Sequence, residues 1–249
     1  MQQPAFTLPS FDPRQVPVAA VDDHLPPVTI ERLTPGALRQ RFARPPVWQP
    51  EVRREPRFMD RPPAAAAVLV PLVQRADGLT VLLTQRTAHL STHSGQIAFP
   101  GGKVDKADVD AADAALREAE EEVALARRFV DVIGELPAYV TGSQFTVTPV
   151  VALVREGFVL RPNPGEVACA FEVPLAFLMN PAHHRRHQMD WEGQVREWFS
   201  MPYVAPARAD AAAGESPPAL GPMSGHAVEH FIWGATAGML RNFYRFLSA

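Results

Sequence analysis

Gly95-Gln-Ile-Ala-Phe-Pro-Gly-Gly102 is followed along the chain by Leu116-Arg-Glu-Ala-Glu-Glu-Glu-Val123, and this pair of segments says more about function than the rest of the chain together. From Asp110 to Leu125 the residues are mostly Ala, Glu, Leu and Arg, with no Gly or Pro to interrupt them, so the segment reads as a helix. At about 100° per residue, Glu121 lies about 300° and Glu122 about 40° around the helix from Glu118, while Glu120 falls near the opposite side. Glu118, Glu121 and Glu122 therefore share one face. Like charges at this spacing cost roughly 0.2–0.5 kcal/mol, and negative charge near a helix C-terminus costs about 0.3–1 kcal/mol. A purely structural helix has no reason to accept those costs.

An isolated Glu-rich helix is ordinarily a solvated acidic face. The neighbouring residues argue otherwise here. Ala114, Ala115, Ala119 and Val123 supply small and apolar packing positions beside the carboxylates, and the apolar run Ile97-Ala98-Phe99 leads into Pro100-Gly101-Gly102. The order is strand, tight turn, loop and helix, with the glycines allowing the loop to fold back over the helix. Clustered carboxylate oxygens are hard ligands suited to Mg²⁺ or Mn²⁺, ions that commonly bridge to substrate phosphates.

These residues resemble the Nudix hydrolases, whose signature runs G-x5-E-x7-R-E-U-x-E-E-x-G-U, U being aliphatic. Gly102 opens the pattern and Arg117-Glu118-Ala119-Glu120-Glu121-Glu122-Val123-Ala124-Leu125 closes it. Gly102 and Arg117 stand one residue further apart than the general spacing, Asp108 falls where the first Glu is expected, and Ala124 replaces the last glycine. Upstream, Leu82-Leu83-Thr84-Gln85-Arg86 and His93-Ser94-Gly95-Gln96-Ile97-Ala98-Phe99-Pro100-Gly101-Gly102 are similar to the signature of the coenzyme A diphosphatase branch, which also carries the longer spacing and the Asp. That branch usually places an Arg near the position of Ser91 and a Ser or Ala near Thr87. Further similarity runs through Gly134–Pro137, Thr141-Gly142, Val147–Val150, Asn163–Val167 and Ile232–Ala237, so it extends from Ala64 to the C-terminus.

Of the 26 prolines, 13 fall within residues 1–63, where they favour extended backbone. Residues 1–63 are expected to form an arm, with one short helix at Pro35–Phe42, and residues 64–249 the Nudix domain. A disordered tail, a wrap around the domain and a share in a homodimer interface are all open to the arm. Ala64–Leu72, Leu79–Thr84, Val130–Leu136, Phe145–Val154 and Val167–Val173 read as strands. The expected class is α/β, the Nudix fold with a mixed β-sheet sandwiched between α-helices. Residues 206–222 read as a flexible insertion, and Val228–Leu247 as a packed amphipathic helix whose charges exclude a membrane span.

A chain of 249 residues that is 47% hydrophobic can bury a substantial core, and its net charge of −3 gives no basis for nucleic-acid binding. The single cysteine, Cys169, excludes an internal disulfide and a multi-Cys zinc site, and its apolar surroundings predict a buried thiol. Met1-Gln-Gln-Pro lacks a basic and apolar leader pattern, so a soluble cytoplasmic protein is expected. His183-His-Arg-Arg-His187 reads as a solvated basic loop, its arginines opposing a metal site.

Cleaving a diphosphate requires water in line with the leaving phosphate and stabilisation of growing negative charge. Glu118, Glu121 and Glu122 are assigned to Mg²⁺ or Mn²⁺, with one of them open as general base and Glu166 as a further candidate. Arg117 is expected to orient a glutamate or brace the loop. Arg86 and Lys103 are candidates for phosphate contact; His93 and Gln96 either position substrate or complete turn hydrogen bonds, and Gly101 and Gly102 complete the expected substrate-binding set. The resemblance implies coenzyme A or a derivative as the small-molecule substrate, cleaved to 3′,5′-ADP and 4′-phosphopantetheine or its acylated form. Two alternatives stand beside it: a Nudix pyrophosphatase acting on NADH or an ADP-sugar, and a noncatalytic nucleotide-sensing module.

Overall fold

The apolar runs pair with one another around a parallel centre. The computed structural model describes residues 11–57, 59, 61–87, 95–191, 193–205 and 227–249. In chain order its elements are β1 (Val18–Val21), α1 (Pro35–Ala43), β2 (Ala64–Arg75), β3 (Gly78–Arg86), β4 (Ile97–Ala98), β5 (Gly101–Lys103), α2 (Ala111–Val123), β6 (Val130–Glu135), β7 (Tyr139–Val140), β8 (Phe145–Val154), β9 (Val167–Pro174), α3 (Leu175–Leu178), β10 (Arg185–Trp191), β11 (Gln194–Ala205), β12 (Val228–Trp233) and α4 (Gly234–Ser248). Strands β2 and β8 run parallel from Ala64↔Phe145 to Val73↔Val154, and antiparallel neighbours extend them into an eight-stranded mixed sheet. Burial on both faces accounts for the nearly continuous Val, Leu and Ala content of these two strands.

Alternation along β2 divides the core. Ala67, Leu69 and Val73 pack under Ala114, Ala115, Ala119 and Val123 of α2. Ala66, Val70 and Leu72 face the other way, into a core shared with Leu38 of α1 and Leu240, Phe243 and Leu247 of α4. Each fully buried aliphatic side chain contributes about 1.5–3 kcal/mol. The mixed sheet is thus covered by helices on both faces.

A second sheet, antiparallel in the order β1-β10-β11-β12, lies outside the expected strands. It corrects the expectation of one helix over Val228–Leu247. The β-branched and aromatic run Val228–Trp233 pairs with β11 from Ala205↔Val228 to Ser200↔Trp233, and Gly234, at φ +61°, turns the chain into α4. The His-Arg cluster is corrected too: His184 and His187 are buried rather than solvated. His184 Nε2 lies 2.8 Å from the Leu178 carbonyl and Arg241 Nη1 lies 3.1 Å from His184 Nδ1, so Nε2–H donates and Nδ1 accepts. Burial, reinforced by the Arg241 charge, lowers the His184 pKa to about 4 and keeps the ring neutral. Cys169 is half-buried rather than enclosed, with its thiol 3.5 Å from Gln85 Oε1.

The described part of the proline-rich segment wraps the domain. β1 pairs with β10, and Arg32 and Arg41 donate to the Phe246 and Leu247 carbonyls, which the end of α4 leaves without helical partners. The expected insertion at residues 206–222 lies outside the described residues. Among the described residues no helix is long and apolar enough to cross a membrane.

Helix α2 begins at Asp110, whose Oδ1 accepts the Asp113 N–H at 2.8 Å, and ends at Ala124, at φ +57°. This is the position where the family signature has glycine, and an alanine there carries the left-handed conformation at a cost. Ala124→Gly is expected to stabilise the protein by about 0.5–1 kcal/mol in denaturant unfolding, once glycine's larger unfolded-state entropy is included.

Candidate active site

The two glycines stand in a strand rather than in a turn. Strand β5 lies against β2 in the register Val68↔Gly101 and Ala67↔Gly102. A Cβ at Gly101 would come within 2.4 Å of the Ala67 carbonyl oxygen, and one at Gly102 within 2.4 Å of the Glu118 carboxylate. Glycine at these two positions lets β5 pair closely with β2 at the sheet while lying against the Glu118 carboxylate of α2.

Glu122 is 3% exposed, and its Oε2 accepts the Gly101 N–H at 3.3 Å. Arg86 Nη1 stands 3.8 Å from its Oε1. Burial pushes the Glu122 carboxyl up to about 7; Arg86 and the Gly101 N–H oppose the shift, while Glu118 and Glu166 add to it. Burial also raises Glu118, against Arg117 and with the charges of Glu121 and Glu166. Glu121, 60% exposed, lies at the outer rim with Arg117 Nη1 3.1 Å away.

Arg117 holds the helix and the preceding loop together. Its Nε and Nη2 donate to the two oxygens of Asp108 at 2.9 and 3.0 Å, its Nη1 donates to Glu118 at 3.0 Å, and Nη2 also donates to the Lys103 carbonyl at 3.1 Å. This forked pairing draws the Asp108 carboxyl down to about 2. Asp108, which stands where the signature has its first glutamate, therefore acts on the helix through Arg117.

The remaining predicted residues divide. Gln96 lies beside Arg86, its carbonyl accepting the Arg86 N–H at 3.0 Å. The Lys103 side chain is exposed, and its contact with Arg117 is through backbone. Glu166 sits on a loop that Asn163 and Arg161 tie to the end of α2, their N–H groups donating to the carbonyls of Glu122 and Val123 at 2.8 and 2.9 Å. His93 lies outside the described residues. Among the described residues, no three His, Cys, Asp or Glu side chains enclose a ready metal cage as they stand.

The family model for the NUDIX domain matches residues 63–218. A Shigella flexneri protein described as an uncharacterized Nudix hydrolase, NudL, is 37% identical over 195 residues, covering 78% of this chain and 85% of its own. Its Escherichia coli K12 counterpart is 39% identical over 178 residues, 71% of this chain and 79% of its own. Among solved structures, a Nudix hydrolase from M. smegmatis, RenU, shares 28% identity at a TM-score of 0.40, over 46% of this chain and 73% of that one. Matched in family and in near relatives over most of its length, the chain belongs to the Nudix hydrolases, enzymes that hydrolyse phosphoanhydrides of nucleoside diphosphate derivatives.

Proposed function

We propose that this enzyme hydrolyses the diphosphate of coenzyme A or its derivatives, releasing 3′,5′-ADP and 4′-phosphopantetheine or an acylated form. The supporting observation is the register Thr84↔Ala98 and Gln85↔Ile97. It sets the two segments that resemble the coenzyme A diphosphatase signature side by side, with Arg86 opening onto Glu122. Membership of a hydrolase family displaces the noncatalytic alternative. Ser91, standing where that branch usually has Arg, favours a second reading in which NADH or an ADP-sugar is the substrate.

The carboxylates fit a divalent cation. Glu118 and Glu122 are both pushed up by burial, Glu166 adds negative charge, and Arg86 compensates from 3.8 Å. Such a set is short of positive charge, and its hard oxygens suit Mg²⁺ or Mn²⁺. Glu118, Glu121 and Glu122 would hold the ion, which supplies diphosphate binding, a more acidic water and neutralisation of charge on the leaving phosphate. Arg117 fixes Glu118 for that role, and the Gly101 N–H fixes Glu122. Arg86 would pair with a phosphoryl oxygen. A carboxylate of this group, or Glu166 from its loop, accepts the water proton as the new P–O bond forms and the bridging P–O bond breaks.

A mass-resolved product assay with Mg²⁺ or Mn²⁺ and coenzyme A, acetyl-coenzyme A, NADH and ADP-ribose is expected to yield 3′,5′-ADP from the coenzyme A compounds; cleavage of NADH or ADP-ribose alone would select the second reading. Glu122→Gln is expected to abolish turnover while far-UV circular dichroism stays near native.

Stability of the metal-free protein carries a separate signature. The Glu122 pKa is raised on folding, from near 4.5 to about 7, so its contribution is intact below pH 4.5 and is lost as pH rises through about 7. At pH 8 in chelator, Glu122→Gln is expected to be the more stable protein, by up to roughly 3 kcal/mol. At pH 4 the two are expected to melt alike. Added Mn²⁺ is expected to raise the melting temperature of the wild type and leave the variant unmoved.

A further inference from the structure

We infer that Thr236, at the start of α4 and beyond the matched region 63–218, is a positioning residue for the catalytic strand turn. The inference rests on the assignment of Glu122 to the active site.

Strand β4 alternates in its bonding to β3. The Arg86 N–H donates to the Gln96 carbonyl, and Ile97 faces Gln85 at the intervening position. In an antiparallel pair the polar groups of such an intervening residue point away from the partner strand. The Ile97 carbonyl therefore looks outward from β3, yet Ile97 is buried and cannot turn that oxygen to water. The Thr236 hydroxyl, itself buried, donates to it at 2.9 Å.

The Ile232-Trp-Gly-Ala-Thr-Ala-Gly238 corner is built to deliver that hydroxyl. Ile232 and Ala237 anchor it in the core, and Gly234 at φ +61° makes the change from β12 to α4. At Gly238 a Cβ would come within 2.6 Å of Tyr139 Oη, so glycine lets the first turns of α4 close on the buried ring. Tyr139 is in turn held by Glu55, which accepts its hydroxyl at 3.0 Å.

From Ile97 the chain reaches Gly101 through Ala98, Phe99 and Pro100. The Pro100 carbonyl accepts the Leu69 N–H at 2.8 Å, and the Gly101 N–H then meets Glu122. Thr236 thus pins the entrance to a five-residue stretch, Ile97–Gly101, whose exit orients the buried carboxylate. A small displacement at Ile97 moves the Gly101 N–H and with it Glu122, and misplacements of about 1 Å are enough to slow enzymes by up to about a hundredfold.

The test compares Thr236→Val, which keeps shape and loses the hydroxyl, with Thr236→Ser, which keeps the hydroxyl, on whichever panel substrate the wild type cleaves and well below the melting temperature of each protein. Thr236→Val is expected to lower kcat about tenfold with KM little changed, and to weaken Mn²⁺ binding in calorimetry several-fold; Thr236→Ser is expected to restore both. Normal kcat and Mn²⁺ affinity in Thr236→Val, or equal defects in both variants, would overturn the role. If Thr236→Val does not fold, Thr236→Ala supplies the hydroxyl-free arm of the same comparison. Glu122→Gln in the same series separates the two assignments: a normal Glu122→Gln removes Glu122 from the site, whereas an inactive one beside a normal Thr236→Val removes only the Thr236 role.

Discussion

Strand β5 runs close beneath the acidic face of α2, and the shape of the carboxylate centre follows from that approach. A Cβ at residue 102 would push the Glu118 carboxylate out of the space it occupies. With glycine there, the strand shields Glu118 and Glu122 from water and offers one of them a backbone N–H in place of solvent. Burial raises both carboxyls, so their charged forms are held at a cost that a nearby positive charge would relieve. Asp108 and Arg117 keep the arrangement from relaxing outward. Their forked pair locks the loop after β5 to the helix, and the same guanidinium reaches Glu118 and Glu121.

Local rules made this centre legible. Helix α2 lies within the stretch expected from composition, and its alanines meet the sheet as the spacing required. The strands β2, β3, β6, β8 and β9 occupy the expected apolar runs within a few residues. What escaped was set by tertiary partners. Val228–Trp233 carries helix-compatible spacing into α4, but a free edge on β11 turned it into a strand. His184 and His187 look solvated in sequence because the fold encloses them: Arg241 and the Val16 carbonyl reach them from far along the chain, and the Leu178 carbonyl and Ser200 from nearer. The contact between Thr236 and Ile97 spans 139 residues and leaves no periodic trace.

The wrapping segment and α4 hold each other through buried charge. Arg241, wholly buried, reaches Asp22 at 2.8 Å and Glu51 at 2.7 Å, while Arg186 and Arg245 join the same carboxylates. Burial alone would raise the Glu51 carboxyl, yet the arginines bring it down to about 2. Desolvation offsets much of the attraction in such networks, so their worth lies less in net stability than in the cost of any arrangement that leaves one charge alone. Asp22 and Glu51 come from the proline-rich segment, Arg186 from β10, and Arg241 and Arg245 from α4. The network therefore specifies one register of α4 against the wrap.

That register matters at the opposite end of the helix. α4 is a single rigid element from Gly234 to Ser248, pinned near its C-terminus by Glu51, Arg32 and Arg41 and near its N-terminus by Tyr139 and Ile97. A slip of one residue along its axis is about 1.5 Å, more than the Thr236 hydrogen bond tolerates. Glu55 closes the circuit, because it belongs to the wrap and accepts both the Tyr139 hydroxyl and the Gly142 N–H. Elements outside the matched domain thus set the position of β4, and β4 leads directly into the glycines that shape the carboxylate centre. Residues remote from the chemistry in sequence are in this way bound to its geometry by a short chain of named contacts.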